Sequence, residues 1–414
     1  MFRRFLQNFN TDDISIGSKI LTKATAIRWF GWGFAENLIP IFLFSFASGY
    51  AEAGLLKSSY ELALILTLPI FGMFADRFKA TTLIIIGLSM YIVVGTSYLL
   101  AGLTGMAIFI VIARVFNGIG FGLDAVGREA YFRRHNTSSK LATVFGYFDS
   151  ITIFWWIFAS FLGIFLIKHF EIHWLLSLIV PTVLIAILIV KKWQKKEEAL
   201  NKENGVTATI IENKSKYTDL FREFGSWNYQ LKIILLLNLI LSASWSIIIF
   251  FLPINMYNSG ASYTTIILFG ISASLPMLFG IFLGKIFDKK GPRIFIYGLL
   301  IYGFLMVMLS FGESYNIIIA TAFLIGVIQE FVSVGKEEII TLYAKPEHYG
   351  RVGGFMRSIM NLGAMIGPLI AGILIDSTGS ITVIYMGLAF CMFVLAFSFA
   401  VHSRITHVRK MKTI

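Results

Sequence analysis

Charged residues and cysteines are both scarce in this sequence. Only 14% of the 414 residues are charged, the mean hydropathy is +0.77, and Cys391 is the one cysteine. So little charge is not typical of a soluble globular protein. A single cysteine excludes a disulfide within the chain and a thiolate metal cluster. Because the sequence also lacks Gly-x-x-x-x-Gly-Lys-Ser/Thr, we expect neither nucleotide-driven transport nor a bound cofactor or metal.

The apolar residues are gathered in long runs. We count about twelve runs of roughly 20 residues, and a helix of that length crosses a bilayer core of about 30 Å. The first run starts near Lys23 and has no small-residue cleavage site after it, so we expect a retained span and not a signal peptide. These runs predict an all-α membrane protein with twelve transmembrane helices, surrounded by the lipid bilayer.

The positive charges are distributed unevenly along the chain. Of the 35 Lys and Arg residues, about 32 fall in alternate connections or tails, which would share one side of the membrane. This asymmetry predicts a multi-pass protein of the plasma or bacterial inner membrane with both termini in the cytoplasm. It also explains the net charge of +12 without nucleic-acid binding, which we do not expect. We expect a monomer.

A change in composition divides the chain. Residues 191–228 are polar and charged, which is typical of a linker. The predicted segments are a cytoplasmic tail (1–22), a six-helix bundle (23–190), the linker (191–228), a second six-helix bundle (229–403) and a tail (404–414). The predicted outer connections, such as 312–314 and 376–380, are very short. They leave no room for a catalytic domain outside the membrane, so we do not expect an enzyme.

A short charged hinge occurs twice. Residues 72–79 read Gly-Met-Phe-Ala-Asp-Arg-Phe-Lys, and a similar stretch occupies 284–293. The offset is about 212 residues, roughly half the chain, which indicates an internal repeat. The arrangement resembles the major facilitator superfamily of secondary transporters, in which the hinge has the pattern Gly-x-x-x-Asp-Arg-x-Gly-Arg-Arg. The matching residues are Gly72, Asp76 and Arg77 in the first copy and Gly284, Asp288, Lys289, Gly291 and Arg293 in the second.

The resemblance implies two pseudo-symmetric six-helix bundles that work by alternating access. A hinge glycine lets two helices approach closely. An aspartate one turn later can face the positive N-terminal end of a helix from the other half. Arg128 or Arg133, near the cytoplasmic end of the fourth span, could share the carboxylate of Asp76. We therefore expect a cytoplasmic latch, and the alternative is a plain solvated turn.

The fourth span contains a second match. Residues 114–120 read Arg-Val-Phe-Asn-Gly-Ile-Gly and are similar to Arg-x-x-Gln-Gly-x-Gly in the family, with Asn117 in place of Gln. The resemblance links Arg114 to proton coupling. The alternative is an arginine that braces neighbouring helices through backbone carbonyls, because a cation inside a span is costly unless paired. Asp124 and Arg128, four residues apart, are interpreted as an ion pair within one helix.

Glu36 is the strongest candidate for a proton-binding residue. It lies near the middle of the first span in an aromatic setting made by Trp29, Phe30, Trp32 and Phe34. An ionised carboxylate there is expensive, which favours exchange of a proton. The alternative is a permanently protonated glutamate bonded to a neighbouring helix.

Two further pairs of polar residues are candidates. Gln329 and Glu330 lie in the tenth span, either on a cavity wall with Glu36, Arg114 and Asn117 or buried between helices. Asp149 and Arg357 occupy equivalent positions in the two halves, about 208 residues apart on the repeat. They are candidates for a gate pair, although separate local pairs are our preferred interpretation.

These features predict a secondary active transporter for a small organic molecule. The first hypothesis is a proton-coupled exporter of hydrophobic or cationic compounds, and the alternative is a proton-coupled uptake symporter for a metabolite. The Gly-Pro pair that drug–proton antiporters of the family carry in the fifth span is missing, and Gly367-Pro368 stands in the eleventh instead. A non-transporting receptor or an intramembrane enzyme is a more remote alternative.

Overall fold

The structure is a computed structural model that describes residues 14–137, 141–203, 229–279, 294–312, 314–343 and 349–411. The helices before the linker are α1 (Ile16–Gly33), α2 (Ile39–Phe44), α3 (Tyr50–Arg77), α4 (Ala80–Thr104), α5 (Ala107–His135), α6 (Leu141–Leu166), α7 (Ile172–Ser177) and α8 (Ile179–Glu203). Those after it are α9 (Tyr229–Asn258), α10 (Tyr263–Ser274), α11 (Ile294–Ser310), α12 (Tyr315–Tyr343), α13 (Tyr349–Thr378) and α14 (Thr382–Met411).

The helices match the predicted membrane spans in type and order. Within the described ranges, eight helices are long and apolar enough to cross a membrane, and three shorter helices are also apolar. Every predicted span contains helix. The prediction of an all-α membrane protein is confirmed.

The first span is interrupted, whereas the sequence predicted one continuous helix. α1 ends at Gly33, the 3-10 turn Glu36–Leu38 follows, and α2 then runs from Ile39 to Phe44. Pro40 lies in the first turn of α2, where its missing N–H would have no helical partner in any case. The proline therefore starts a second helix and does not break one.

Two helices extend beyond the predicted limits of their segments. α1 begins at Ile16, inside the predicted tail, because the Ser15 side chain accepts a hydrogen bond from the backbone N–H of Ser18 at 3.2 Å and caps the helix. α8 continues to Glu203, into the predicted linker. Lys, Gln and Glu, which fill this extension, are good helix formers.

The described residues fall into two compact units. Unit 1 contains the residues up to Glu36, then Leu66–Thr104 and 112–203. Unit 2 contains Asn37–Ile65, Gly105–Val111 and the described residues from 229 onward. Two of the positions at which the chain passes from one unit to the other lie close to irregular helix positions. These are the 3-10 turn after α1 and the proline at position 69 inside α3. A proline removes the N–H that would bond the carbonyl four residues earlier, here that of Ile65.

In unit 1, α1 packs against α6 and α8. Small residues bring α1 and α6 together: a Cβ at Gly33 would lie 2.6 Å from the carbonyl oxygen of Trp156, and one at Gly163 would lie 2.2 Å from that of Phe34. The Ser160 hydroxyl donates to the Gly33 carbonyl at 2.9 Å. Such close backbone approach is typical of helix packing in membranes.

In unit 2, α9 packs against α13 along a ladder of hydrogen bonds. The donors are spaced four residues apart on α9 and the acceptors four apart on α13: Asn238 to the Met356 carbonyl at 2.8 Å, Ser242 to Met360 at 2.6 Å and Ser246 to Ala364 at 3.0 Å. Pro368 lacks an N–H and leaves the Ala364 carbonyl without its helical donor. Ser246 supplies a replacement. We call this set the α9–α13 ladder.

Candidate functional site

Glu36 lies at the start of the 3-10 turn between α1 and α2. Its carboxylate accepts a hydrogen bond from the indole N–H of Trp156 on α6, and the indole of Trp32 on α1 is a second donor. Trp156 is buried, whereas Glu36 retains some accessible surface. The close α1–α6 approach at Gly33 brings the Trp156 indole within reach of the turn. Two indole donors stabilise a carboxylate in an apolar setting.

Aromatic side chains surround the same turn. Phe30 contacts Phe34 edge to face, with ring centroids 4.9 Å apart, and meets Trp155 in the same geometry at 5.8 Å. Phe158 stacks on Phe30 at 6.2 Å. The aromatic setting predicted for Glu36 therefore includes residues of α6 as well as its own helix, which the sequence did not indicate.

Arg114 belongs to the same unit as Glu36. It is buried on α5 near Tyr98, and its charge, like that of Arg28, acts on Glu36. Asn117 is also buried, one turn further along α5. The structure thus places Arg114 and Glu36, two of the predicted site residues, near enough for their charges to interact. It places Asn117 on the same helix as Arg114.

A buried ion triad joins α1 to α5. Asp124 has no accessible surface, and its Oδ2 lies 2.5 Å from Nη1 of Arg128 and 3.5 Å from Nη2 of Arg28. The Arg28 guanidinium also sits over the Tyr91 ring at 4.6 Å. The Asp124–Arg128 pair confirms the predicted ion pair within one helix. Buried charges of this kind are tolerated only when they are paired.

Arg28 is the residue that the sequence reading missed. It lies inside the first apolar run, eight residues before Glu36. A cation at that depth needs a partner, and this requirement was the signal that could have identified it. Its partner Asp124 is 96 positions away on another helix, so local spacing did not reveal the contact.

The predicted latch is only partly within the described residues. Gly72 lies in α3 and is partly buried, whereas the side chains of Asp76 and Arg77 and the whole second hinge (Gly284, Asp288, Lys289, Gly291, Arg293) lie outside the described residues. Arg128 pairs with Asp124, and Arg133 lies 4.0 Å from Glu129. The latch stays a prediction.

An unpredicted contact holds the first hinge to α5. Nη2 of Arg134 donates to the backbone carbonyl of Ala75 at 2.7 Å. Lys79, the last residue of the hinge, pairs with Glu198 on the extended end of α8 at 2.8 Å. The hinge therefore contacts α5 through a backbone carbonyl and α8 through an exposed ion pair.

The remaining candidates are distributed over both units. Gln329 and Glu330 are partly buried on α12 in unit 2, and Oε1 of Gln329 has no hydrogen-bond partner among the described residues. Asp149 is exposed on α6 in unit 1, and Arg357 is exposed on α13 in unit 2. Their roles in binding and gating stay predictions. Across the described ranges, no group of three or more His, Cys, Asp or Glu residues is placed to hold a metal.

Sequence relatives were found over part of the chain. A 144-residue segment is 29% identical to the proton-coupled antiporter flippase LtaA of several Staphylococcus aureus strains, including MSSA476 and USA300. The segment covers 33% of this chain and 35% of the relative. The chain therefore matches about a third of the length of these curated relatives.

Solved structures share the fold over nearly the whole chain. The nucleoside transporter NupG superposes with a TM-score of 0.74 at 15% identity, covering 94% of this chain and 99% of that one. A POT family peptide transporter gives a TM-score of 0.70 at 15% identity, covering 94% and 97%. The family model of the Major Facilitator Superfamily matches residues 23–334 and 234–412. The sequence has two charged hinges, the described residues contain eight helices long and apolar enough to cross a membrane, and the family model matches most of the chain. The chain is therefore a secondary transporter of the Major Facilitator Superfamily and not an enzyme.

Proposed function

We propose that this transporter exchanges protons for a hydrophobic organic compound, neutral or cationic, and exports that compound across the plasma or inner membrane. Glu36 would carry the proton. The observation that supports this role is its position: an indole-bonded carboxylate in the 3-10 turn that interrupts the first span, where the chain passes from unit 1 to unit 2. Broken helices near the middle of the membrane are where transporters of several folds bind ions and substrates.

The chemistry around Glu36 suits reversible protonation. The aromatic shell makes a permanently ionised carboxylate expensive. The Trp156 N–H and the nearby Arg28 and Arg114 lower the cost of the ionised form. A carboxylate held between these opposing influences can release and bind a proton during the transport cycle.

Competition at Glu36 would produce exchange. A cation that binds beside the ionised carboxylate cannot bind equally well beside the protonated one, so proton and substrate would occupy the site alternately. The cytoplasmic hinges, with Asp76 and Asp288, would time opening at that side. The similarity to a proton-coupled antiporter flippase over a third of the chain supports both exchange and a hydrophobic substrate.

A second candidate is proton-coupled uptake of a metabolite. It is favoured by residues 144–149 of α6, which read Val-Phe-Gly-Tyr-Phe-Asp and lack the Gly-Pro pair of drug–proton antiporters. In this mode, protonation of Glu36 and substrate binding would support each other.

Transport in everted vesicles under an imposed proton gradient tests the proposal. Fluorescent lipophilic cations of graded hydrophobicity would be compared for the wild type, Glu36→Gln and Glu171→Gln. Glu171 is an acid whose side chain is 81% exposed, so its replacement controls for the loss of one carboxylate. We expect Glu36→Gln to abolish gradient-dependent movement and Glu171→Gln to retain it.

Two results would contradict the proposal. Gradient-dependent movement that persists in Glu36→Gln would show that another group carries the proton. If the wild type moves none of the cations but takes up labelled metabolites with protons, the chain is a symporter and the export hypothesis is wrong.

A further inference from the structure

The N-terminus of α3 is capped by a residue 326 positions away. Gly49 precedes the first helical residue and has no side chain that could cap the helix. Instead, the backbone N–H groups of Tyr50 and Ala51 donate to the two carboxylate oxygens of Asp376, at 2.9 and 2.8 Å. Asp376 lies near the C-terminal end of α13. A carboxylate at this position satisfies two orphan donors and complements the positive end of the helix dipole.

The helices below the cap touch backbone to backbone. A Cβ at Gly54 would lie 2.4 Å from the carbonyl oxygen of Pro368, and one at Gly372 would lie 2.3 Å from that of Tyr50. The Ser58 hydroxyl donates to the Met365 carbonyl at 2.6 Å. Two glycines and a serine on facing surfaces let the helices approach as closely as helices in membranes do.

The cap can be released at a modest cost. Asp376 is exposed, so its carboxylate and the freed N–H groups would be hydrated after separation. One hydrogen bond of the helix is also missing further along, because Pro69 removes the N–H partner of the Ile65 carbonyl. Ile65 is the last residue of this stretch grouped with unit 2. The capped part of α3 thus ends next to a natural bending point.

We propose that Asp376 and the N-terminus of α3 form a gate at the helix ends opposite the Gly72–Lys79 hinge. The gate is closed in this structure, and separation of the cap from Asp376 opens the transport path at that end. The sequence placed a carboxylate facing a helix N-terminus at the cytoplasmic hinge. The structure has such a contact at the other end of α3. The gate rests on alternating access and does not depend on Glu36 as the proton carrier.

Distance measurements between spin labels test the gate in the full-length protein. Leu55→Cys on α3 and Ile373→Cys on α13 offer two exposed labelling positions, in a background where the native cysteine is replaced by Cys391→Ser. Pulsed electron resonance in lipid nanodiscs would give the distance distribution with and without Asp376→Ala. We expect the long-distance population to increase about three- to tenfold, because the charged helix cap that favours the closed state is lost.

Two further variants distinguish the loss of the cap from a nonspecific effect of substitution. Ser377→Ala changes the exposed residue next to Asp376. In the described contacts, the Ser377 hydroxyl donates to the Leu374 carbonyl of its own helix. We therefore expect wild-type distances in Ser377→Ala. Gly54→Ala should increase the long-distance population by a second route, since its Cβ would press on the Pro368 carbonyl. Wild-type distances in both Asp376→Ala and Gly54→Ala would overturn the gate.

The same labelled protein distinguishes this inference from the proposed function. The effect of Glu36→Gln on proton-coupled transport tests only whether Glu36 carries the proton. Unchanged transport in Glu36→Gln together with a shifted distance in Asp376→Ala would reject the proton carrier and retain the gate. Lost transport in Glu36→Gln together with wild-type distances in both Asp376→Ala and Gly54→Ala would reject only the gate.

Discussion

Two helix seams in this protein are built from opposite chemistry. Between α1 and α5, the charged contacts are made by the buried ion triad of Arg28, Asp124 and Arg128. Between α9 and α13, they are made by the neutral α9–α13 ladder and by glycines against backbone carbonyls. Charges carry a large desolvation cost that only good pairing offsets. Hydroxyl-to-carbonyl bonds carry little cost and add little energy each.

The two seams differ in whether they contain ionisable residues. The charged seam lies in the unit that contains Glu36 and Arg114, the residues proposed to act in proton coupling. The neutral seam is a tight joint, in which α9 and α13 are held together mainly by close backbone packing. The comparison predicts that the two seams differ strongly in the size and pattern of their mutational effects.

The largest effect is expected at the charged seam. Asp124→Asn removes the charge that compensates Arg28 and Arg128 and should destabilise the protein by about 3–5 kcal/mol. Thermal unfolding in detergent, followed by the fluorescence of the eight tryptophans, would measure the loss. Glu198→Gln, which breaks the exposed pair with Lys79, is the control and should cost less than about 1 kcal/mol. Equal effects of the two substitutions would mean that the triad does not hold the seam.

An intermediate effect is expected from close packing at the neutral seam. A Cβ at Gly363 would lie 2.2 Å from the carbonyl oxygen of Leu239. Gly363→Ala should therefore force α9 and α13 apart and cost about 1–3 kcal/mol. Gly387→Ala on α14 is the matched control, because no atom lies within 4 Å of its added Cβ. A Gly363→Ala variant as stable as the control in the same unfolding assay would contradict the tight joint.

The smallest effect is expected for a single rung of the ladder. Ser242→Ala removes one hydroxyl donor to the Met360 carbonyl and should cost about 0.6 kcal/mol. Additive losses in the unfolding assay when Ser246→Ala is combined with it would indicate independent rungs. A loss above about 2 kcal/mol for Ser242→Ala alone would show that the rungs act together and that the neutral seam resembles the charged one more than proposed.

Much of the fold was predictable because membrane spans are recognised by local length and hydropathy. The Asp124–Arg128 pair was predictable for a similar reason, since residues four apart on a helix are neighbours wherever that helix lies. The break after α1 was not predicted. Glu36 and Pro40 are compatible with one continuous span in sequence, and the 3-10 turn lies where α1 packs closely against α6.

The sequence by itself determined the helical spans, the internal repeat, the family and the choice of Glu36 as a candidate, because these follow from local composition and spacing. Only the tertiary structure decided the contacts of Arg28 with Asp124, of Glu36 with Trp156 and of Asp376 with the start of α3. The last two join residues 120 and 326 positions apart. Such contacts depend on how each helix is rotated and on how closely glycines let it approach its neighbours, and neither is encoded in the period of one helix.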